Sequence, residues 1–565
     1  MAAGAAVVAM GVPISAALAG ASPQERDFGR TESPIKHVVV IFQENVSFDH
    51  YFGTYPNATN ADGTPFTAAP QTPKVNGLTP ALLTSNPNTA NPRRLDPGNL
   101  NDLLTCDQDH SYTDEQTAFD GGAMDQFTQA VGTHAGTSAT GQPCQASDVM
   151  NYYDGNTVTA MWNYAQHFAM SDNSFGTTFG PSSPGAVNLV SGDTNGAATL
   201  VRGAQSDVVA DGEGGYSLIN DAQPYYDDCS SRDSASMTGQ NVGDQLNAAG
   251  LSWGWFEGGF APTTPYSGPP SSIGTYDPTS VTGRAVCAAS HPIGAALGGT
   301  GQWGTKADYI AHHEPFQYYA STANPHHLAP TSLAAVGTDT ASPGHFDTAN
   351  HQYDLSWFDA LVAAIHAGTM PPDALPAVSY LKAPGYEDGH AGYSDPIDEQ
   401  AFLVKEINAL EALPDWSSTA IVIAYDDSDG WYDHVYSGVA NASATSADTL
   451  TGAGSCTAGG AATILGEQGR CGYGPRLPLL VISPWAKVNF VDHARTDQSS
   501  ILRFIEWNWD LGSIPGSAAT IAGSLNAMFD FEAHGHVQAL AAHRGHARHA
   551  RRLFLNPKTG AVVRR

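Results

Sequence analysis

The 565-residue sequence predicts an α/β fold, three layers deep (α/β/α), around one large and mostly parallel sheet. Three observations carry this. Several short runs are apolar at nearly every position rather than at alternate ones, which suits strands covered by helices on both faces. Segments with helical spacing of apolar residues alternate with those runs, the order that builds a sheet between helix layers. Hydrophobic residues make up 41% of the chain, so its 59 Gly and 36 Pro read as loop-rich insertions rather than disorder.

In chain order, residues 1–22 carry a short apolar stretch and Ala17-Leu18-Ala19, which resembles a leader-cleavage site. The stretch has no basic start and is too short and small-residue-rich for a membrane span. We expect export to a secreted or extracytoplasmic location and no stable membrane insertion. The first strand is Ile35 to Phe42, β-branched and almost unbroken. Pro56 to Pro97, rich in Pro, Asn and Thr, is a loop excursion. Gly203 to Gly304, rich in Gly, Ser and Asp, has no sustained period and is expected to be a loop-rich insertion. Ala377–Leu381, Ala420–Tyr425 and Leu479–Ile482 are further strands. Asp395 to Leu413 is a helix with Pro396 in its first turn, and Gln498 to Leu511 is another, stopped by Gly512. From His534 the character changes to Arg and His, and 534–565 is expected to be a solvated helix and a short hairpin. No internal repeat occurs. The catalytic domain is expected to cover 33–533.

Against 24 Lys and Arg stand 55 Asp and Glu, a formal charge of −31. Such a field repels nucleic acid, which we exclude as a partner. If the substrate is a phosphate ester, positive charge has to be supplied locally, by a cation or by some of the 21 histidines. Six cysteines, none in C-x-x-C spacing, fit an exported chain. We expect nearest-neighbour pairing: Cys106 with Cys144, Cys229 with Cys287, Cys456 with Cys471.

Two strands end alike. The first delivers Glu44-Asn45 and the later one Asp426-Asp427, and ligands of open α/β sheets sit beyond the carboxyl ends of strands. These residues are candidate ligands of one divalent metal ion. An oxygen-rich set favours Ca²⁺, Mg²⁺ or Mn²⁺, and the ion removes the repulsion between close carboxylates. The alternative is ordinary helix capping. A stand-alone calcium loop is excluded, because with Gly430 in sixth place the first and twelfth places fall on Tyr425 and Tyr436. Ser182, in Gly180-Pro181-Ser182-Ser183-Pro184, is either an N-cap or a nucleophile at a helix N-terminus that favours negative charge. Neither G-x-S-x-G nor a P-loop is present. His110, His313 and His390 lie in motif-like loops and can hold phosphoryl oxygens or protonate an alkoxide. Each is otherwise an ordinary surface or core histidine.

Residues 35–53, from Ile35-Lys36-His37 through Gln43-Glu44-Asn45 to Tyr51-Phe52-Gly53, resemble the opening signature of the bacterial phosphoesterase family of phospholipases C and acid phosphatases. Five further segments match in family order: Gly180–Pro184, His313–Phe316, Tyr386–His390, Tyr425–Asp427 with Gly430–His434, and Gly474–Pro478. The resemblance runs from about 33 to 533. It implies an alkaline-phosphatase-like core with one metal held by Glu44, Asn45, Asp426 and Asp427. Ser182 would be the nucleophile, and His110, His313 and His390 would surround the phosphoryl group. Members of the phospholipase branch often carry Thr in place of Ser182, and Glu-His where this chain has Asp427-Ser428. Both departures favour the acid-phosphatase branch, so we expect a phosphomonoester substrate and better turnover at mildly acidic pH. The alternative is a phospholipase C cleaving phosphatidylcholine to diacylglycerol and phosphocholine, with Trp431, Tyr432 and Phe316 either seating the head group or lying in the core. A sulfatase is disfavoured because Ser182-Ser183-Pro184-Gly185-Ala186 lacks the Arg of that motif. A more distant alternative is a non-catalytic binding protein on the same scaffold.

Overall fold

The computed structural model describes residues 30–132, 136–269, 273–280, 282–341, 348–450, 455–457, 466–531 and 551–563. The leader-like segment 1–22 lies outside them, as do 532–550 of the tail.

Eight strands form the main sheet: β1 (His37–Gln43), β2 (Ala169–Ser171), β3 (Trp253–Glu257), β4 (Gln352–Asp354), β5 (Val378–Lys382), β6 (Thr419–Tyr425), β7 (Leu479–Ile482) and β8 (Phe490–Asp492). Their spatial order is β4-β3-β5-β1-β6-β7-β2-β8. All neighbours run parallel except β7, which is antiparallel to both β6 and β2. The fold is therefore the expected α/β class with a mostly parallel sheet. β1 and β6 are buried at all seven positions, as unbroken apolar runs require when both faces are covered. Helices α1 (Thr159–His167), α4 (Leu355–His366) and α5 (Pro396–Glu411) pack into one layer. Helices α2 (Ser182–Ser191), α3 (Val242–Ala249) and α6 (Ser499–Trp509) pack into the other.

The predicted helices differ from the observed ones only at their ends. α5 starts where Asp395 accepts from the amides of Ile397 and Asp398. α6 stops at Asp510, which takes the left-handed conformation two residues before Gly512. Within 203–304, Trp253-Gly254-Trp255-Phe256-Glu257 is fully buried as strand β3, between β4 and β5. The rest of that stretch holds helix α3, short strands and turns. β3 escaped the sequence reading because its five residues are three aromatics, a glycine and a glutamate rather than a β-branched run. The disulfides are the three nearest-neighbour pairs. Of the tail, 551–563 docks on the core. Leu553 and Leu555 are buried, Leu555 bridges to Val562 as a small hairpin, and Asn408 donates to the Leu555 carbonyl. Among the described residues no helix is long and apolar enough to cross a membrane.

Register places the functional residues. Gln43 pairs with Tyr425, so β1 and β6 end level and release Glu44 and Asp426 side by side. On the other flank Leu381 pairs with Ile41, and β5 ends one residue later in Lys382.

Candidate active site

Beyond the level ends of β1 and β6, the backbone turns so that Asp426 Oδ1 accepts from the Asn45 amide at 3.2 Å and from the Asp427 amide at 2.8 Å. This locks the two acidic pairs together and points Glu44, Asn45 and Asp427 at one hydroxyl. Ser182 Oγ lies 3.0 Å from Asp427 Oδ2, 3.2 Å from Glu44 Oε2 and 3.5 Å from Asn45 Oδ1. One hydroxyl proton can serve only one of them at a time. Ser182 is the first residue of α2, and Pro181 holds the cap position without a side-chain bond. The capping alternative for Ser182 therefore fails.

α2 reaches this point because residue 185 has no side chain. A Cβ on Gly185 would collide with the Asp426 carbonyl oxygen. Gly180, at φ +113°, turns the chain into the helix and donates its amide to Glu115 Oε2 at 2.9 Å. The helix terminus is less open than the sequence suggests, because the Ser183 amide already donates to Asp221 Oδ1 at 2.9 Å.

The three predicted histidines all come to this place. His313 Nε2 lies 3.3 Å from Glu44 Oε2. His110 Nε2 lies 3.3 Å from Asn45 Nδ2, and its Nδ1 faces the Gln108 carbonyl at 2.9 Å and Asp429 Oδ1 at 3.4 Å. The rings of His110 and His390 meet edge to face, with centroids 6.0 Å apart. Their proton affinities differ by environment. Burial, with Lys382 and His312 next, pushes His313 well below the usual imidazole range. Burial likewise takes His390 to about 4. Burial also opposes the charged form of His110, but Asp427, Asp429, Asp107 and Asp221 together outweigh it and raise that ring. The Asn45 amide contact suits a neutral ring, yet one bond of 3.3 Å weighs less than four surrounding carboxylates.

Two residues were missed. Lys382 Nζ contacts Glu44 Oε1 and lies 3.6 Å from Asp426 Oδ2. It was legible by the strand-end rule that found Glu44 and Asp426, had β5 been read one residue further. Asp388 has one oxygen on the His390 amide and the other, buried, without a hydrogen-bond partner. Oxygens of Glu44 and Asp388 and a ring nitrogen of His313 lie within 4.8 Å of one another.

The donor set fits a hard divalent cation. Glu44, Asp388, Asp426 and Asp427 are all at most 2% exposed, and the Lys382 ammonium pairs with Glu44 and Asp426. Asp426 Oδ2 has no hydrogen-bond partner. Burial first, then the charge of neighbours including Asp426, pushes the carboxyls of Glu44 and Asp427 well above the ordinary range. Anions held this way lack positive charge, which a metal with carboxylate and carboxamide ligands would supply.

The aromatic residues offered for a choline head group belong to the core instead. Trp431 stacks on His50 at 3.9 Å, Tyr432 packs edge-on to Phe127 at 5.0 Å, and Phe316 lies 4.7 Å from Trp253. All three are buried. Tyr393 is the aromatic side chain beside the histidines, stacked on His390 with centroids 4.2 Å apart.

The chain is similar to known proteins over most of its length. Over 524 residues the chain is 26% identical to the non-hemolytic phospholipase C of Burkholderia pseudomallei, covering 90% of this chain and 61% of that protein. It is 24% identical over 518 residues to phospholipase C A of Mycobacterium tuberculosis, covering 88% and 77%. A shorter match, 32% identical over 170 residues, joins 29% of the chain to 22% of the hemolytic phospholipase C of Pseudomonas aeruginosa. The chain thus spans about six-tenths of the length of the Burkholderia relative. The phosphoesterase family profile matches residues 35–512, and the chain belongs to the phosphoesterase family.

Proposed function

We propose that the chain hydrolyses phosphate esters, phosphomonoesters foremost, through a phosphoserine formed on Ser182. The observation that carries this is Ser182 Oγ, set uncapped at a helix start 3.0 Å from Asp427 Oδ2 and 3.2 Å from Glu44 Oε2. Ser182 Oγ attacks phosphorus opposite the departing alcohol. Its proton passes to the adjacent carboxylate oxygen, Asp427 Oδ2, 3.0 Å away. The P–O bond to the alcohol breaks, and His110, the imidazole whose surroundings favour a charge, gives the alkoxide a proton. His313 and His390, held neutral by burial, orient phosphoryl oxygens. Water then attacks the phosphoserine as the now neutral His110 takes its proton; the P–O bond to Ser182 breaks, Asp427 returns its proton to Ser182 Oγ, and phosphate is freed. A divalent cation held by Glu44, Asn45, Asp426 and Asp427 would supply the charge that stabilises the phosphoryl oxygens.

The catalytic unit in this reading is 33–533, and three disulfides support an oxidising, extracytoplasmic location. A second reading is favoured by the names of the relatives: phospholipase C action on a phospholipid diester. The test is a side-by-side assay of p-nitrophenyl phosphate and p-nitrophenyl phosphorylcholine, with divalent metal supplied. The monoester is expected to be the better substrate, and Ser182→Ala to lower its turnover about a thousandfold or more with the fold retained. Preference for the phosphorylcholine ester would favour the second reading, and turnover retained in Ser182→Ala would remove the serine from the mechanism.

A further inference from the structure

The hairpin of Ser290–Pro292 and Thr305–Ala307 brings a lysine to the mouth of this site. Lys306 is half-buried, and its Nζ lies 3.3 Å from the centroid of the Tyr393 ring. Tyr393 in turn stacks on His390. Burial first, and the charge of Arg232, lower the proton affinity of Lys306 from its ordinary value, while Asp388, Glu44 and Asp107 favour its ammonium. Among the described residues no carboxylate lies within 4.0 Å of Lys306 Nζ, so its ammonium is not tied up in an ion pair. Arg232 stands on the same side, with Nη2 3.2 Å from His312 Nδ1.

A zwitterionic phosphocholine group needs an aromatic face for its quaternary ammonium. The three aromatic residues of the neighbouring motifs are core, and the ring beside the catalytic histidines is already engaged by the chain's own ammonium. A second cation brought there would be repelled, in a region where water screens poorly. A phosphate carrying two negative charges and no attached cation would be drawn in instead.

We propose that Lys306 is a specificity-determining residue: by occupying the Tyr393 ring it excludes head groups bearing a quaternary ammonium and favours doubly anionic phosphomonoesters. This deepens the hydrolase reading given above and rests on it for the location of the phosphoryl site. The geometry needs the charge of Lys306 and its reach, so Lys306→Gln removes the selection and Lys306→Arg keeps most of it.

Two measurements on the full chain with divalent metal test this. The first is the ratio of kcat/KM for p-nitrophenyl phosphate to that for p-nitrophenyl phosphorylcholine. The ratio is expected to fall about tenfold in Lys306→Gln, chiefly through KM, and to be largely restored in Lys306→Arg. The second needs no turnover: titration with tetramethylammonium, followed by calorimetry. Wild type and Lys306→Arg are expected to show no saturable binding, and Lys306→Gln to show it. Should Lys306→Gln unfold, Lys306→Met serves in both measurements. An unchanged ratio in a folded, active variant overturns the proposal, and so does tetramethylammonium binding to the wild type as tight as to the variant. If the wild type turns over neither ester, the hydrolase reading fails on its own, and the titration still decides the role of Lys306.

Discussion

Ser182 leaves its helix uncapped and turns its hydroxyl to Asp427 and Glu44. From the sequence, a serine ahead of Pro184 reads more readily as an ordinary cap than as a nucleophile. The difference lies in which side chains stand opposite, and those come from residues 138 and 245 positions away along the chain. The candidate ligands were legible because they share a local rule, a charged or polar residue released at the end of a buried strand. Lys382 obeyed the same rule and was lost by one residue in the strand end. For the motif aromatics the sequence left a head-group seat and a core position both open. A buried Trp and an exposed one look alike in a motif, and only packing against His50 places Trp431 in the core. Protonation also belongs to this scale. His110 is raised above its ordinary 6.5 by four carboxylates. If the charged ring is the proton donor, kcat holds at mildly acidic pH and declines as pH rises through that raised pKa. His110→Gln should flatten this alkaline decline in a pH–rate profile and lower kcat throughout, by about a hundredfold. A decline that survives in His110→Gln would assign the donor elsewhere.

The elements converge through register and close approach. β1 and β6 end level because Gln43 pairs with Tyr425, and a shift of one residue would turn Glu44 and Asp426 to opposite faces. Helix α2 can bring Ser182 to that edge only while position 185 lacks a Cβ. Gly185→Ala is therefore expected to push the helix off the end of β6, cutting kcat by about a hundredfold or more. It should also cost about 1–3 kcal/mol in denaturant unfolding, as overpacking does. Wild-type kcat in this variant would mean the approach is not needed. A second contact braces the same edge. Fully buried Arg476, from the loop before β7, binds Asp433 and Asp49, so that the segments after β6 and after β1 are tied together. Element type and order were readable from unbroken apolar runs, as for β1 and β6. The antiparallel sense of β7 was not, because direction leaves no mark on a four-residue apolar run. Neither was β3, whose aromatic residues follow no period.

At the scale of the molecule, a chain with a formal charge of −31 gathers its few buried cations where anions meet. Lys382 and Lys306 both face the site, and the remaining deficit is what a divalent ion would fill. The three disulfides tie down loop-rich segments around the sheet, and the Cys229–Cys287 pair lies in the segment that leads to the Lys306 hairpin. Sheet, helix layers and disulfide pairing were all legible in sequence, since each depends on local pattern or proximity. Substrate choice was not, because it depends on which side chain covers Tyr393. The central claim is that a covalent phosphate forms on one serine. Acid quenching during steady turnover of p-nitrophenyl phosphate, followed by mass spectrometry of the peptide spanning 180–190, tests it most directly. The account predicts a phosphate on Ser182 that is absent from Ser182→Ala. Turnover in progress with no covalent phosphate on Ser182, or with the phosphate on another residue, would contradict it.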